Sequence, residues 1–437
     1  MAPACRLGSA LVAVLPWFIC LSTAVCPPSD CRRSARAAAP PLIDQADAAR
    51  HGLVRAWAIH VDLDRTRDRI AGTHLDPEGL LVLSERGVLS SLDAQTGAPR
   101  WSVRIGNPRY PALGPAGDEQ YVVATDGSTA YVLDRSDGRS VRDFRLDGVP
   151  NASPVVAGGW IYVPLMDRLS AYEVGKPDQP PWFFTSYGTI DARPTVTPRT
   201  VVWGTESGVV YSGARNRLDI RFQKELLGAV RSSPAFRTGT APADDDDAAG
   251  AAPDEPRRPA MVFVTSRNRY AYGLDEVTGQ TVWRFSVGTP ISHPPIVVDD
   301  AVLIIPETYG MFCVSAETGA QRWWTPRVAR FLSASPTRIY ALDSVGNILI
   351  LDRQSGARRG VLPAQGLTYQ LINRLHDRIY LGTETGLLMC LHEAELGTPV
   401  IHTGLPKIVP TDEGDETGDA ADADADAAAD PDAADPF

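Results

Sequence analysis

Cysteine is scarce in this 437-residue chain: there are six, and four of them (Cys5, Cys20, Cys26 and Cys31) fall before residue 32. Only Cys313 and Cys390 are left for the rest, which argues against a disulfide framework. Histidine is thin as well. The seven stand at 51, 60, 74, 293, 376, 392 and 402, with no Cys or His spacing suited to zinc. His392-Glu393 opens like a zinc-protease helix motif, but Leu396 occupies the place of the second ligand. The chain has no G-x-S-x-G nucleophile elbow and no Gly-Lys-Ser/Thr phosphate loop. No basic cluster is dense enough to offer a nucleic-acid surface. Amphipathic helical stretches are few, and only 22% of residues are charged. With 37 Gly and 36 Pro, that balance suits one large all-β domain rather than several mixed ones.

Acidity is concentrated at one end. Residues 411–437 hold 11 Asp or Glu and no Lys or Arg, which equals the whole formal net charge of −11. That tail, 406–437, and a polar insertion at 238–259 lack the apolar residues that would offset ordering entropy, so both are expected to be disordered. Their alternating Asp and Ala also lack the glycine and terminal glutamate of a calcium loop, so no calcium site is expected there. At the other end, Arg6 precedes an apolar run from Leu7 to Val25, and residues 1–38 read as a signal peptide or an N-terminal anchor. Ala35-Arg36-Ala37 fits a small-x-small cleavage site, whereas Arg32, Arg33 and Arg36 oppose translocation. Both readings stay open. Residues 39–52 read as a linker.

What the chain has in abundance is one phrase: LDAQTGAPRW from Leu92, LDEVTGQTVW from Leu274 and VSAETGAQRW from Val314. Its glycines and their weaker echoes fall at Gly97, Gly138, Gly279, Gly319, Gly356 and Gly397, at spacings of 41, 141, 40, 37 and 41. Discounting the 22-residue insertion, the long gap holds three periods of about 40, the length of a propeller blade. Two hidden units inside it are marked by WIYVPLMD from Trp160 and VVWGTESG from Val201. Eight runs rich in Val, Ile and Tyr, around Val82, Val122, Ile161, Val201, Val262, Val302, Ile339 and Ile379, read as strands. Each unit shows a small-residue Ser-Pro strand, an apolar strand, a strand ending in Leu-Asp, and a strand opening with Trp. A lone four-stranded sheet cannot cover both of its faces, whereas radial stacking buries them. The expected fold, over 53–405, is an eight-bladed β-propeller of four-stranded antiparallel blades.

The repeated residues have structural work to do. Asp93, Asp134, Asp275 and Asp352 are placed to accept backbone N–H bonds across the turn, and Gly97, Gly138, Gly279, Gly319 and Gly356 to take positive φ. Trp101, Trp283 and Trp323 are expected on the outermost strand, against the neighbouring blade.

This pattern resembles the pyrroloquinoline-quinone-like (PQQ-like) propeller repeat, shared by quinoprotein dehydrogenases and BamB-like outer-membrane assembly proteins. The BamB side of the resemblance implies an exported, non-catalytic scaffold, periplasmic or envelope-associated. It would be a monomeric propeller meeting protein partners, with membrane contact only through a possible N-terminal anchor. The dehydrogenase side implies a quinone beneath a disulfide of adjacent cysteines and a calcium ion held by Glu, Asn and Asp. No adjacent cysteines exist here and no metal ligand can be matched, so neither PQQ nor calcium is expected. The lipid-bearing cysteine of BamB relatives has its candidate in Cys26, but Val25 and Thr23 fit a lipidation site poorly. A third reading, a carbohydrate or peptide binder, would use exposed aromatics such as Trp324 or Tyr309.

A carboxylate follows the second strand in seven units: Glu85, Asp126, Asp167, Glu206, Glu307, Asp343 and Glu384, with Arg267 breaking the series. These residues share one face, either as an acidic ring for a basic partner or as caps of their own turns. The insertion should open on the opposite face. Closure of the ring falls to residues 53–62 (LVRAWAIHVD), with 398–402 (TPVIH) competing for the same slot.

Overall fold

Each repeat becomes one antiparallel four-stranded sheet in the computed structural model, which describes residues 42–404 apart from 177, 240–257 and 309. The signal or anchor segment with its four cysteines, most of the acidic insertion, the acidic tail and Tyr309 lie outside the described residues.

There are eight sheets of four strands, in sequential order in seven of them. Blade 1 is Ile70–Asp76, Gly79–Ser84, Val88–Leu92 and Pro99–Arg104. Blades 2 to 7 follow at 112–145, 155–185, 195–225, 235–286, 296–326 and 330–363. Blade 8 takes three strands from the end of the chain, Tyr369–Gln370, Ile379–Gly382 and Leu387–Glu393, and its fourth, Leu53–His60, from the beginning. Leu53 pairs with Glu393 and His60 with Leu387 across this closing sheet. The competing C-terminal segment makes only one isolated bridge, Ile401 to His376. Within the segment read as a linker, Gln45–Arg50 forms a helix capped by Asp44, whose carboxylate accepts from Ala46 N at 3.3 Å. Ile43 and Ala48 are buried in the core between blades 7 and 8.

Burial follows position within the blade. Every residue of second strands such as Gly79–Ser84, Trp160–Pro164 and Met261–Thr265 is buried, because neighbouring blades cover both faces. Fourth strands such as Pro99–Arg104 and Ser140–Arg145 are exposed at every other residue, the period-two signature of a rim strand with one covered face. Eight apolar clusters fill the eight seams, one between each pair of adjacent blades. The core is therefore distributed around the ring, and closing the ring is what completes it.

In seven blades the third and fourth strands shift register by one residue near the outer end of the third strand, as between Ser91 and Leu92 or Gly273 and Leu274. Blade 3 lacks the shift, whereas blade 4 keeps it although it has no Asp-x-x-Thr-Gly turn. The bulge increases local twist and aims the strand that follows across to the next blade.

Candidate functional site

Strand alternation assigns the two faces of the ring. Links from first to second strands and from third to fourth strands open on one side, which carries the Thr-Gly turns and the base of the insertion. Turns from second to third strands and the links between blades open on the other.

On the first side the repeated phrase is a joint. Asp93 Oδ1 accepts from Gln95 N at 3.0 Å and Thr96 N at 2.9 Å. Asp275 does the same with Val277 N at 3.1 Å and Thr278 N at 2.8 Å, and Asp352 with Gln354 N at 3.0 Å and Ser355 N at 2.8 Å. Asp134 accepts from Ser136 N at 2.8 Å. Gly97, Gly138, Gly279, Gly319 and Gly356 have φ between 67° and 74°. The same glycines are seats for a ring from the preceding blade. Trp101 Nε1 donates to Arg135 O at 2.9 Å, Trp283 Nε1 to Ala316 O at 2.8 Å, and Trp323 Nε1 to Arg353 O at 3.0 Å. A Cβ on Gly138 would stand 2.7 Å from Trp101, on Gly319 2.7 Å from Trp283, and on Gly356 2.5 Å from Trp323. Trp57, in the closing strand, belongs to the same series: it donates to Ala94 O at 3.1 Å and lies over Gly97. Its signal was present in LVRAWAIHVD. In blade 4 Phe222 fills the place, over Gly279.

The second side holds the seven carboxylates, and they do not act alike. Glu85, Asp167 and Glu384 are exposed, Asp167 beside Arg168 Nε at 3.1 Å. Asp126 is buried and accepts from Asn107 N at 2.5 Å, capping the link from blade 1 rather than its own turn. Asp343 caps its own turn through Val345 N at 2.9 Å and Asn347 N at 2.8 Å. Glu206 is paired with Arg231, whose hydrogen bond, followed by that of Thr189, holds its carboxyl below the usual range. Glu307 accepts from Ser292 Oγ at 2.6 Å and from Arg267 Nη1 at 2.5 Å. Arg267, the residue that breaks the acidic series, thus reaches across to the next blade. With Arg168, Arg231 and Arg267 interleaved, this side is of mixed charge.

Large apolar residues stand out on it. Tyr110, Val149, Tyr187 and Leu227 are exposed in the successive links between blades 1 and 5, and Met166 is exposed in the blade 3 turn among them. Leu227 is 85% exposed and has φ of 56°, while the preceding Leu226 is buried. A left-handed conformation costs a non-glycine residue roughly 1–2 kcal/mol. Here it turns the second of two adjacent leucines outward. The five stand in neighbouring loops along one arc of this side. Sequence reasoning did not find this arc, because its members come from five separate loops. Trp324, singled out as an exposed aromatic, is 50% exposed on an outer strand and leans on Phe312 with ring centroids 6.1 Å apart.

The central channel encloses a cavity of about 560 Å³, lined by first strands and by the link 371–375 of blade 8. No carboxylate is among its lining residues, so it offers no oxygen donor set for the calcium ion that accompanies a quinone in a dehydrogenase, and the residues do not fit that group. Among the described residues no group of three or more His, Cys, Asp or Glu is placed to hold a metal ion. Cys313 and Cys390 are buried and unpaired on third strands two blades apart. Burial pushes the Cys313 thiol up to about 11 and the Cys390 thiol up to about 12, which leaves both as inert apolar filling. No helix among the described residues is long and apolar enough to cross a membrane.

Comparison with known proteins agrees with this architecture. The family model for outer membrane protein assembly factor BamB matches residues 55–175 and 258–395. The crystal structure of BamB from Moraxella catarrhalis superposes with a TM-score of 0.58 at 17% identity, covering 78% of this chain and 97% of that one. The computationally designed Ika8 protein superposes with a TM-score of 0.54 at 11% identity, covering 76% of this chain and 98% of that one. Among curated proteins, no sequence matches this one.

Proposed function

This chain belongs to the family of the outer membrane protein assembly factor BamB, and on that premise we propose that it is an exported, non-catalytic scaffold that docks protein partners of the outer-membrane assembly machinery. The docking surface is the arc formed by Tyr110, Val149, Met166, Tyr187 and Leu227. The observation that carries the reading is Leu227, turned out to solvent by a backbone conformation that leucine adopts only at a cost. Apolar residues at the centre of such an arc would supply the desolvated contacts of an interface. The mixed rim of Glu206, Arg231, Arg267 and Glu307 would supply its polar margin. The absence of carboxylates from the channel lining supports the non-catalytic half of the reading, and the family description supports the envelope setting.

A photo-crosslinking amino acid tests it when placed in turn at Tyr187, Leu227 and Trp324 in the intact envelope. Capture of a discrete protein from Tyr187 and Leu227, but not from Trp324 on the rim, is the expected result. Equal capture from all three positions, or none from the arc, refutes the docking face.

A further inference from the structure

The central channel contains two arginines that the docking face does not explain. Arg193 stands just before the first strand of blade 4, at the position held by Ser153 in blade 3 and Ser233 in blade 5; the following residues Thr195, Val155 and Ala235 take equivalent places in the strand pairing. A long cation thus replaces a small hydroxyl at one place in the repeat. Its Nη1 donates to His74 Nδ1 at 3.2 Å, and the other ring nitrogen of His74 donates to Gly117 O at 3.3 Å. That tautomer is neutral, and burial followed by the charges of Arg193 and Arg135 drives the His74 pKa well down. His74 therefore orients Arg193 without neutralising it.

Arg374 enters the same cavity from the link of blade 8, and its side chain has no hydrogen bond or ion pair among the described residues. Burial lowers the pKa of both arginines to about 10, and for Arg193 the charge of Arg374 adds to the effect. The carboxylate nearest to hand, Asp76, is engaged by Arg135 at 2.6 and 2.5 Å. Gln370 is engaged too, by Arg330 at 3.0 Å and by Leu367 O at 2.9 Å. Two like charges share a cavity of about 560 Å³ whose wall also presents the hydroxyls of Thr73, Thr195 and Ser233 and, beside them, the apolar Val156, Val196, Phe236 and Leu371. Cavities of this size accommodate a small organic molecule.

We propose that the channel is a binding site for an oxyanion, a carboxylate or phosphate, clasped between Arg193 and Arg374 with any apolar body of the ligand against Val156, Val196 and Phe236. Guanidinium groups suit such anions because their N–H donors match paired oxygens. Two sources of the anion are available. One is a free small molecule. The other is the chain itself: His402 N donates to Leu375 O at 2.8 Å and Thr238 N to Gly404 O at 3.0 Å, so the described chain ends beside a channel-lining residue, and the 11 carboxylates of 411–437 follow.

Titration calorimetry at low salt separates the outcomes, using inorganic phosphate and octanoate as probes on the full-length chain. The same titrations are run on a full-length variant whose acidic residues in 411–437 are replaced by Asn and Gln. Saturable binding that weakens tenfold or more in Arg193→Gln and in Arg374→Gln, but not in Arg139→Gln, whose side chain is exposed on the other side of the ring, supports a free anion. Arginine-dependent binding seen only after neutralising the tail supports the chain's own carboxylates as occupant. Because Arg374 has no partner to lose, Arg374→Gln should melt no lower than the parent, so loss of binding cannot be ascribed to misfolding. Binding that survives the double Arg193→Gln/Arg374→Gln variant, or no binding in either parent or tail-neutralised chain, overturns the proposal.

Discussion

Replacing Trp57 with alanine should unlatch the ring. The residue is 7% exposed, its indole N–H is bonded to Ala94 O at 3.1 Å, and its ring packs on Gly97 and on Tyr380 with centroids 6.0 Å apart. These contacts join the first strand of the chain to blade 1 through Ala94 and Gly97 and to the C-terminal strands of blade 8 through Tyr380, so the residue sits where the two ends of the propeller meet. Truncating a buried tryptophan costs about 3–5 kcal/mol through lost transfer free energy and the cavity left behind. An unfolding entropy of about 2.1 cal/mol/K per residue, over roughly 340 described residues, is about 0.7 kcal/mol/K, so a loss of about 4 kcal/mol lowers Tm by about 6 °C. Differential scanning calorimetry of the full chain is the assay, with Trp324→Ala as control, because that side chain is half exposed at the rim and should move Tm by less than about 2 °C. Deleting residues 53–62 should be more severe, since it bares the edge of Leu387–Glu393, a strand with six of its seven residues buried. Trp57→Ala and Trp324→Ala melting together, or an unchanged melt after the deletion, would refute closure by the N-terminal strand.

Gly97→Ala should destabilise by about 1–3 kcal/mol, because its φ is 73° and the new methyl would meet Trp57 at 2.7 Å. Gly346→Ala, with φ of 92° and nothing within 4 Å, should cost less, and equal denaturation midpoints for the two would count against the joint. Removing Asp76 should cost about 3–5 kcal/mol by leaving the buried Arg135 unpaired, and Asp76→Ala/Arg135→Met should recover much of the loss; a double variant no better than the single would show that the pair is not the cause. Stability should also depend on His376, whose pKa is pushed down to about 4 by burial and then by the charges of Arg378 and His402. Unfolding returns it to about 6.5, so the unfolded chain binds a proton that the folded one refuses between those values. Its contribution is then complete above about pH 6.5 and is lost, to the order of 3 kcal/mol, as pH falls towards 4. Urea midpoints measured from pH 7 to 4.5 should drop further for the parent than for His376→Asn, and parallel curves would refute this.

The fold was legible because repetition amplifies weak signals: a turn of Asp, Gly and Trp seen once means little, but at spacings near 40 it counts blades. The joint was legible for the same reason, since each member has a local task at a fixed offset. The seven turn carboxylates were legible as positions only. Whether each caps its turn, like Asp343, meets an arginine from another loop, like Glu206 with Arg231, or turns inward, like Asp126, depends on neighbours tens of residues away.

By itself, then, the sequence determined the number of blades, the four strands in each, and the turn chemistry that joins one to the next, because all of these are set by residues within a single period of the chain. Which terminus closes the ring, which loop residues form an apolar arc, and that Arg193 of blade 4 and Arg374 of blade 8 face one cavity were decided only by the tertiary structure. Bending the chain into a ring brings residues some 180 or 340 positions apart into contact, and no local pattern records such a meeting.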